Sequence, residues 1–498
     1  MSLLNHINNR NKRVLSFTRR DFLAMGGAAG AAFFPAFSAA KQPESKSLAT
    51  GSTALFYTPS TTLLWDTWVY HHNGKFHLYY MTGPRGKWNG IGMAVSNDGV
   101  HWDEVGKVIE KPVTGVDRSG AGTVWAVRDE AGNEKFIMGH SEWQVSAESK
   151  REDGLRQTLL FSESQDLIHW QRLGAESEFH HDTRWYDGNG RWDNLWPIPR
   201  PEGGFYGYWV AQPNNKKIGI GFGESLDGVT WKALESPDLP SVPASAEVPG
   251  VYRWKDKCYL TYNSFDIRDS QLEFEWGNST LVGDFPSGPF SYAPKNRRLL
   301  VGDTVYFTRF ADTPDGVLVN HHSWENDDRD NRGHIYMAPL KRADWDDEGT
   351  LRLKWWDGNE RAKAKRVFIQ SQLVETAFDP NETLILEGVM PLTSSPTGLY
   401  LQGSGEKGTG FLVHENGLVE YGDINRDGSG FEKKGYVDRE LPFEDKAHFR
   451  LIRKGRITEF YLNDYLMQCY SLPEQGTGHI GLIGPPRDFS KLKAWYCA

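Results

Sequence analysis

The stretch Leu63-Leu-Trp-Asp-Thr-Trp-Val-Tyr-His-His-Asn-Gly-Lys-Phe-His-Leu-Tyr-Tyr-Met81 decides the fold. Aromatic and β-branched residues on both sides of Asn73-Gly74 describe two strands joined by a tight hairpin, because Asn and Gly accept the positive φ such a turn demands. Asp66 stands at the mouth of the first strand, between Trp65 and Trp68. A carboxylate is poorly placed there for folding and well placed for chemistry.

Working outward, four later segments repeat the hairpin, with turns at Gly132-Asn133, Gly203-Gly204, Asp256-Lys257 and Asp315-Gly316. Each follows a strand that begins near Thr123, Asp193, Glu247 or Val305. Three segments also share Ser-x-Asp-x-x-x-Trp: Ser96 to Trp102, Ser164 to Trp170 and Ser225 to Trp231. Ser and Asp close a turn through side-chain bonds to backbone, and Trp fills the gap between neighbouring sheets. A unit of roughly sixty residues with about four short strands is one propeller blade. The expectation is therefore an all-β chain with a five-bladed β-propeller over 53–356. A charged passage at 359–366 reads as a linker. Beyond it, 367–498 alternates apolar and polar residues between Gly and Asn punctuation. That pattern predicts a C-terminal β-sandwich, jelly-roll or concanavalin-like, with packing against the propeller as its main role.

The N-terminus reads as an address. Arg10, Lys12 and Arg13 precede Ser16-Phe-Thr-Arg-Arg-Asp-Phe-Leu23, and a Gly/Ala-rich apolar run ends near Ser38-Ala39-Ala40. This is the pattern of a twin-arginine export signal over 1–40, which predicts a periplasmic or secreted protein. The run is shorter than the ~20 apolar residues of a membrane span, and no transmembrane segment is expected elsewhere. The chain carries −9 over 498 residues. Residues 1–40 hold five Lys/Arg and one Asp, so the remainder is more acidic still, which argues against nucleic acid as a partner. Cys258, Cys469 and Cys497 form neither a metal motif nor a disulfide framework.

Three carboxylates open inner strands: Asp66 in blade one, Asp193 in blade three and Glu247 in blade four. Inner strands run along the propeller axis, so acids at equivalent strand ends converge on one funnel. Glycoside cleavage needs a protonated carboxyl to release the leaving oxygen and a carboxylate as nucleophile or base. A third acid nearby raises the pKa of the donor by like-charge repulsion. The three acids are expected to share one phase of the repeat.

With these residues in view, the chain resembles the five-bladed propeller glycosidases, most of all glycoside hydrolase family 32, related to families 43 and 68. The resemblance covers 53–356 and the domain order that follows. It implies that Asp66 is the nucleophile, Asp193 steadies the transition state and Glu247 is the acid/base. Ser119-Gly120-Ala121-Gly122 is similar to the Phe-Ser-Gly-Ser stretch of that family. The motifs diverge: Asp66 is followed by Thr-Trp, Trp192 separates Arg191 from Asp193, Asn194 replaces a proline, and Val248-Pro249 follows Glu247.

Trp65, Trp125, Trp143 and Trp192 are the aromatic candidates for stacking on a sugar, with Trp88 and Trp324 beside them. Arg191 and His322 are the polar ones. The expected activity is an exported glycosidase acting on a terminal sugar of an oligo- or polysaccharide. The alternatives are an inverting enzyme like family 43, or a propeller that binds sugar without turnover. No cofactor and no metal are expected. Asp327-Asp-Arg-Asp330 is the one run with calcium-loop character, and a lone acidic run is usually a solvated turn.

Overall fold

Five antiparallel units follow one another, each with its first strand innermost: the first three are four-stranded sheets, the fourth has five strands, and the fifth is the start of an eleven-stranded sheet. The computed structural model describes residues 54–498 except 85–86, 130, 147–153, 215–218, 241–245, 265–276, 303, 326–333, 370–374, 403–405, 426–428 and 475. The export stretch and the acidic run at 327–330 lie outside the described residues. The inner strands are Leu63–His72, Arg118–Arg128, Trp192–Pro199, Glu247–Trp254 and Val305–Thr313, and each pairs with the strand after its hairpin. The first hairpin turns at Asn73 and Gly74, both at positive φ. The fourth and fifth turn one residue earlier than the sequence suggests, at Lys255-Asp256 and Pro314-Asp315.

The Ser-x-Asp marks act as the sequence predicts. Ser96 Oγ accepts from Gly99 N at 2.8 Å, and Asp98 Oδ1 accepts from Val100 N and His101 N, both at 2.9 Å. Ser164 with Asp166 and Ser225 with Asp227 repeat the turn. These outer turns also join the blades. Tyr79 of blade one donates to Leu167 O of blade two at 2.6 Å, and Trp125 of blade two donates to Gly228 O of blade three at 3.1 Å. Blades three and four, which lack the marked turn ahead of them, use the same device. Tyr208 donates to Pro286 O, and Tyr259 donates to Gly349 O at 2.7 Å.

The fifth joint is apolar: Trp356 lies under Gly99, where a Cβ would stand 2.8 Å from the indole. The ring is closed by the start of the described chain, because Tyr57 exchanges backbone bonds with Met337 of blade five at 3.1 and 2.9 Å. On the inner side Asn320 of blade five takes Val69 N and gives its amide to Thr67 of blade one.

The sheet of blade five runs on into the sandwich through one pairing, Lys354 with Tyr465. The sandwich packs that sheet against a second one of six strands, around a core that includes Leu386, Leu399, Phe411, Phe449, Phe460 and Met467. The charged passage at 359–366 is not a free linker. Asp357–Ala362 forms 3-10 turns, and Lys363–Val367 is a strand paired with Ser490–Cys497. Its alternating charges suit an edge strand, where one face stays in water.

Blade five meets the sandwich through buried ions. Lys341 Nζ lies 2.6 Å from Glu459 Oε1, with both side chains fully buried, and Tyr461 donates to the other carboxylate oxygen at 2.6 Å. Lys341 holds the Glu459 carboxyl down to about 2 against the opposing pull of burial. Arg439 of the sandwich donates to Asn296 Oδ1 of blade four at 2.6 Å. Removing one partner of such a pair strands the other charge in a dry interior. Glu459→Gln is therefore expected to lower stability by about 3–5 kcal/mol, read from urea unfolding, while a surface pair such as Lys295–Glu348 changes it by less than ~1 kcal/mol when broken.

Candidate active site

Every inner strand carries the same defect. Pairing with the second strand skips two residues at 66–67, 121–122, 194–195, 248–249 and 307–308. Bulges of this kind bend a strand and re-aim its side chains. The first bulge residue is left-handed at Asp66, Asn194, Val248 and Phe307, with φ of 46°, 60°, 51° and 29°. Asp and Asn accept that conformation readily, whereas a β-branched Val does so under strain.

The bulge sorts the pit into layers. The residues just before it are Trp65, Gly120, Asp193, Glu247 and Tyr306, one from each blade. Asp193 and Glu247 thus share a phase, but Asp66 does not: it is the first bulge residue itself, level with Asn194 and Val248. The expectation of a common phase for the three acids is corrected. Two residues up the strands, on the same face, stand Arg118 and Arg191. Below the bulges Arg309 plugs the axis. It is 1% exposed, donates to Pro249 O and to Asn194 Oδ1 (3.2 Å), and stacks on Trp196 and Phe307 at 4.9 Å each.

The three acids do converge. Asp66, Asp193 and Glu247 are 7%, 4% and 3% exposed. Arg191 ties two of them together, with Nη1 2.7 Å from Glu247 Oε1 and Nη2 3.1 Å from Asp193 Oδ2. Asp193 Oδ1 accepts from Ser141 Oγ at 2.5 Å, and Glu247 Oε2 accepts from the Tyr306 hydroxyl at 2.7 Å. Gly120 makes room for this arrangement, since a Cβ there would lie 1.9 Å from Ser141 Oγ and 2.6 Å from Asp193 Oδ1.

Burial pushes the Asp66 carboxyl up to about 8, with Asp193 adding to the rise and Arg118 and Arg309 opposing it. Burial pulls Arg118 down to about 10 and Arg309 to about 9, with Asp66 resisting both shifts. Arg191 moves the other way, raised by Glu247 and Asp193 although burial works against it.

The candidate binding residues divide. Trp65 forms the wall of the pit, with ring centroids 6.2 Å from Trp88, 5.4 Å from Tyr306 and 5.4 Å from Trp324. Trp143 is a platform for two cations, 4.3 Å from the Arg118 guanidinium and 5.1 Å from that of Arg191. Trp125 and Trp192 belong elsewhere. Trp125 packs edge-on to Trp231 between blades two and three, and Trp192, fully buried, sits among Phe179, Tyr186 and Trp209. The alternation of the strand explains the second case, because a neighbour of Asp193 must face the other side.

His322 is also fully buried, 4.4 Å from Trp65 and wedged against Tyr306 and Phe307, so it backs the wall without reaching the pit. Burial, with His321 beside it, drives its imidazole well below the usual range, which keeps it neutral. Arg118, Arg309, Tyr306 and Ser141 are the site residues that sequence reasoning missed, and Gly120 entered it only as part of the Ser119–Gly122 stretch. Aligning the strands on their bulges would have found Tyr306, which with Gly120 shares the phase of Asp193.

His321, Glu459 and Cys469 bring ligand-type atoms within 4.8 Å of one another. The Lys341 ammonium and the Tyr461 hydroxyl already fill both oxygens of Glu459, so the cation this cluster needs is supplied by the chain. Cys258, Cys469 and Cys497 are free, buried thiols, and Cys469 and Cys497 are not bridged.

No family model and no curated protein matches the chain. Solved structures do. The sucrose-6-phosphate hydrolase of Lactobacillus gasseri superposes with a TM-score of 0.70 at 16% identity, covering 90% of this chain and 93% of that one. A family 32 β-fructofuranosidase of Bombyx mori gives 0.68 at 16%, over 89% and 93%. The exo-inulinase of Aspergillus awamori gives 0.63 at 14%, over 89% and 98%. The chain therefore has the propeller-plus-sandwich fold of glycoside hydrolase family 32.

The raised Asp66 makes a prediction about stability. A carboxyl at about 8 in the folded state and near 3.8 otherwise holds a native-state proton across that window. Stability is then full at low pH and falls as pH rises from about 4 to 8, by at most ~1.4 kcal/mol per pH unit. Asp66→Asn removes the penalty. Its Tm is expected to match the parent near pH 4 and exceed it increasingly toward pH 8, as measured by scanning calorimetry.

Proposed function

We propose that this chain is a glycoside hydrolase that removes a terminal sugar from an oligo- or polysaccharide, using Asp66, Asp193 and Glu247. The observation that carries the reading is the convergence of three buried carboxyls from three blades on one pit. Acid-catalysed cleavage of a glycosidic bond needs one carboxyl that gives a proton and one that acts as an anion, in a site dry enough to separate the two states. Trp65 stands at the level of Asp193 and Glu247, and the buried Arg309 side chain ties the strands together below the bulges; a site closed at that end favours exo attack. The Trp65 face and the charged hydrogen-bonding groups around it suit a sugar ring, apolar on its faces and polar at its rim.

The fold neighbours include enzymes named for sucrose 6-phosphate, fructofuranosides and inulin. Around the acids this chain differs from the family motifs at Thr67, Trp192, Asn194 and Val248, so fructose-releasing substrates serve as the control expected to fail. Export through the twin-arginine pathway completes the proposal, supported by Arg19-Arg20 and the apolar run after them.

Two outcomes are expected. A panel of terminal glycosidic linkages from plant and algal polysaccharides, assayed for reducing-sugar release, should give at least one turned over. On that substrate Asp66→Asn and Glu247→Gln should each lose more than ~10² in kcat/KM. Binding without turnover across the panel would favour a sugar-binding propeller instead. For export, replacing Arg19 and Arg20 by Lys should leave the full chain in the cytoplasmic fraction; an unchanged periplasmic yield would remove that part.

A further inference from the structure

The pit carries more positive charge than its chemistry can use. Arg118, Arg191 and Arg309 face Asp66, Asp193 and Glu247, three cations to three acids. Glycoside cleavage, however, requires one carboxyl of the set to hold a proton. Two anions then answer three guanidiniums, and a surplus cation in a dry site is costly unless something neutralises it.

The surplus falls on Arg118. Arg191 is shared by two carboxylates, with Nη1 2.7 Å from Glu247 Oε1 and Nη2 3.1 Å from Asp193 Oδ2. Arg309 lies below the bulges and donates to Pro249 O and Asn194 Oδ1. Arg118 stands on the other side of the acids, at the level of Arg191, with its guanidinium 4.3 Å from the Trp143 ring centroid. An aromatic face takes up a guanidinium without consuming its N–H groups. The same indole has a buried N–H with no hydrogen-bond partner among the described residues. Burial and the neighbouring Arg191 both weigh against the charge on Arg118, and Asp66, Asp193 and Glu247 offset them only in part.

We propose that Arg118, backed by Trp143, is an anion-binding subsite, and that the terminal sugar this chain removes carries a singly charged oxyanion, a carboxylate or a sulfate ester. This rests on the glycosidase reading and names the substrate class within it.

The count of charges selects the anion. A monoanion restores three against three. A neutral sugar leaves the excess cation in place. A phosphate monoester brings nearly two negative charges at neutral pH and turns the excess into one of anion beside the acids. Arginine meets the oxygens of a carboxylate through two parallel N–H bonds, which are stronger than bonds to a sugar hydroxyl. The guanidiniums of Arg118 and Arg191 lie 4.3 and 5.1 Å from the same indole. An anion on Arg118 therefore sits beside the pair of carboxylates that Arg191 holds, and one sugar ring can touch both.

Titration calorimetry on the full chain at neutral pH tests the subsite without turnover. The probes of one arm are methyl glycosides of glucuronate, galacturonate, mannuronate and guluronate, each against its methyl ester, which removes the charge and keeps the ring. The other arm sets the 6-sulfates of glucose and galactose against the unsulfated sugars. At least one acidic probe should bind ~10–100-fold more tightly than its neutral counterpart, and the arm in which it falls identifies the anion. Arg118→Met should make the two bind alike. Arg118→Lys, which keeps a charge and loses the fork, should keep part of the preference. Near-ultraviolet circular dichroism checks the fold of each variant, and should Arg118→Met fail to fold, the reduced preference of Arg118→Lys decides.

A guanidinium serving only as a counter-ion to the acids would weaken acidic and neutral probes together when replaced. That result, a preference that survives in both variants, or no preference for an acidic probe anywhere in the two arms overturns the proposal. Turnover of neutral terminal sugars alone also overturns it and leaves the hydrolase reading in place. Failure of every glycan in the linkage panel instead removes the hydrolase reading, while an acid preference that disappears with Arg118 keeps the subsite.

Discussion

Three carboxyls and three guanidiniums are buried around one axis, and neither set could be buried without the other. An isolated ion of either sign loses several kcal/mol on leaving water, which only a close and well-bonded partner returns. The propeller meets this constraint by drawing on different blades for each partner. Arg118 comes from blade two, Asp193 and Arg191 from blade three, Glu247 from blade four, and Tyr306 and Arg309 from blade five. Arg309 ties the bulges of blades three and four to its own. The charges that would perform chemistry therefore also hold the inner strands at a common height. Substitution in the pit touches packing and reactivity together.

The bulges are what allow the charges to meet. A regular strand at the rim of an axial channel turns alternate side chains toward its two neighbouring blades and none squarely at the axis. Two unpaired residues in each inner strand break that alternation and give the axis a layer of its own. The strain is visible at Val248 and Phe307, which belong to residue types that adopt the left-handed region far less readily than Asp66 and Asn194 do. Phe307 is pinned by its backbone N–H donating to Asn263 Oδ1 of blade four at 2.9 Å. Backbone strain repeated at one height in successive blades, beside buried unpartnered polar atoms, is the signature of a site kept at a cost to stability.

The sequence made some of this plain and hid the rest. Hairpin spacing and the Ser-x-Asp marks exposed the blades, because turn chemistry is local and Asn73-Gly74 or Ser96 with Asp98 needs no distant partner. The convergence of Asp66, Asp193 and Glu247 was legible from the blade repeat. Their relative heights were not. A bulge depends on pairing with the next strand, so nothing local shows that Asp66 lies one step beyond the level of Asp193. The same blindness misplaced Trp125 and Trp192: a tryptophan beside a catalytic-type acid reads as a sugar platform until strand alternation is anchored, and then it must face the core. Arg309 and Tyr306 escaped because blade five offers no acid to draw attention to its inner strand.

Trp192 shows how one residue can redirect a site without disturbing a fold. Its indole fills the gap among Phe179, Tyr186 and Trp209, and its N–H donates to Phe179 O at 2.8 Å, so on its own face it is ordinary core. On the opposite face its presence sets the spacing of Arg191 and Asp193 at two. A guanidinium on the same face as the acid bonds it directly, and being bidentate it has a second nitrogen to offer. Glu247 lies within reach of that nitrogen. Once the arginine is shared by two carboxyls, the third is left to face burial with Arg118 and Arg309 alone, which oppose its protonation without overcoming it. The spacing of two residues in one strand thus decides which carboxyls share the arginine and which is left to burial, through pairing geometry and the cost of dehydrating charge.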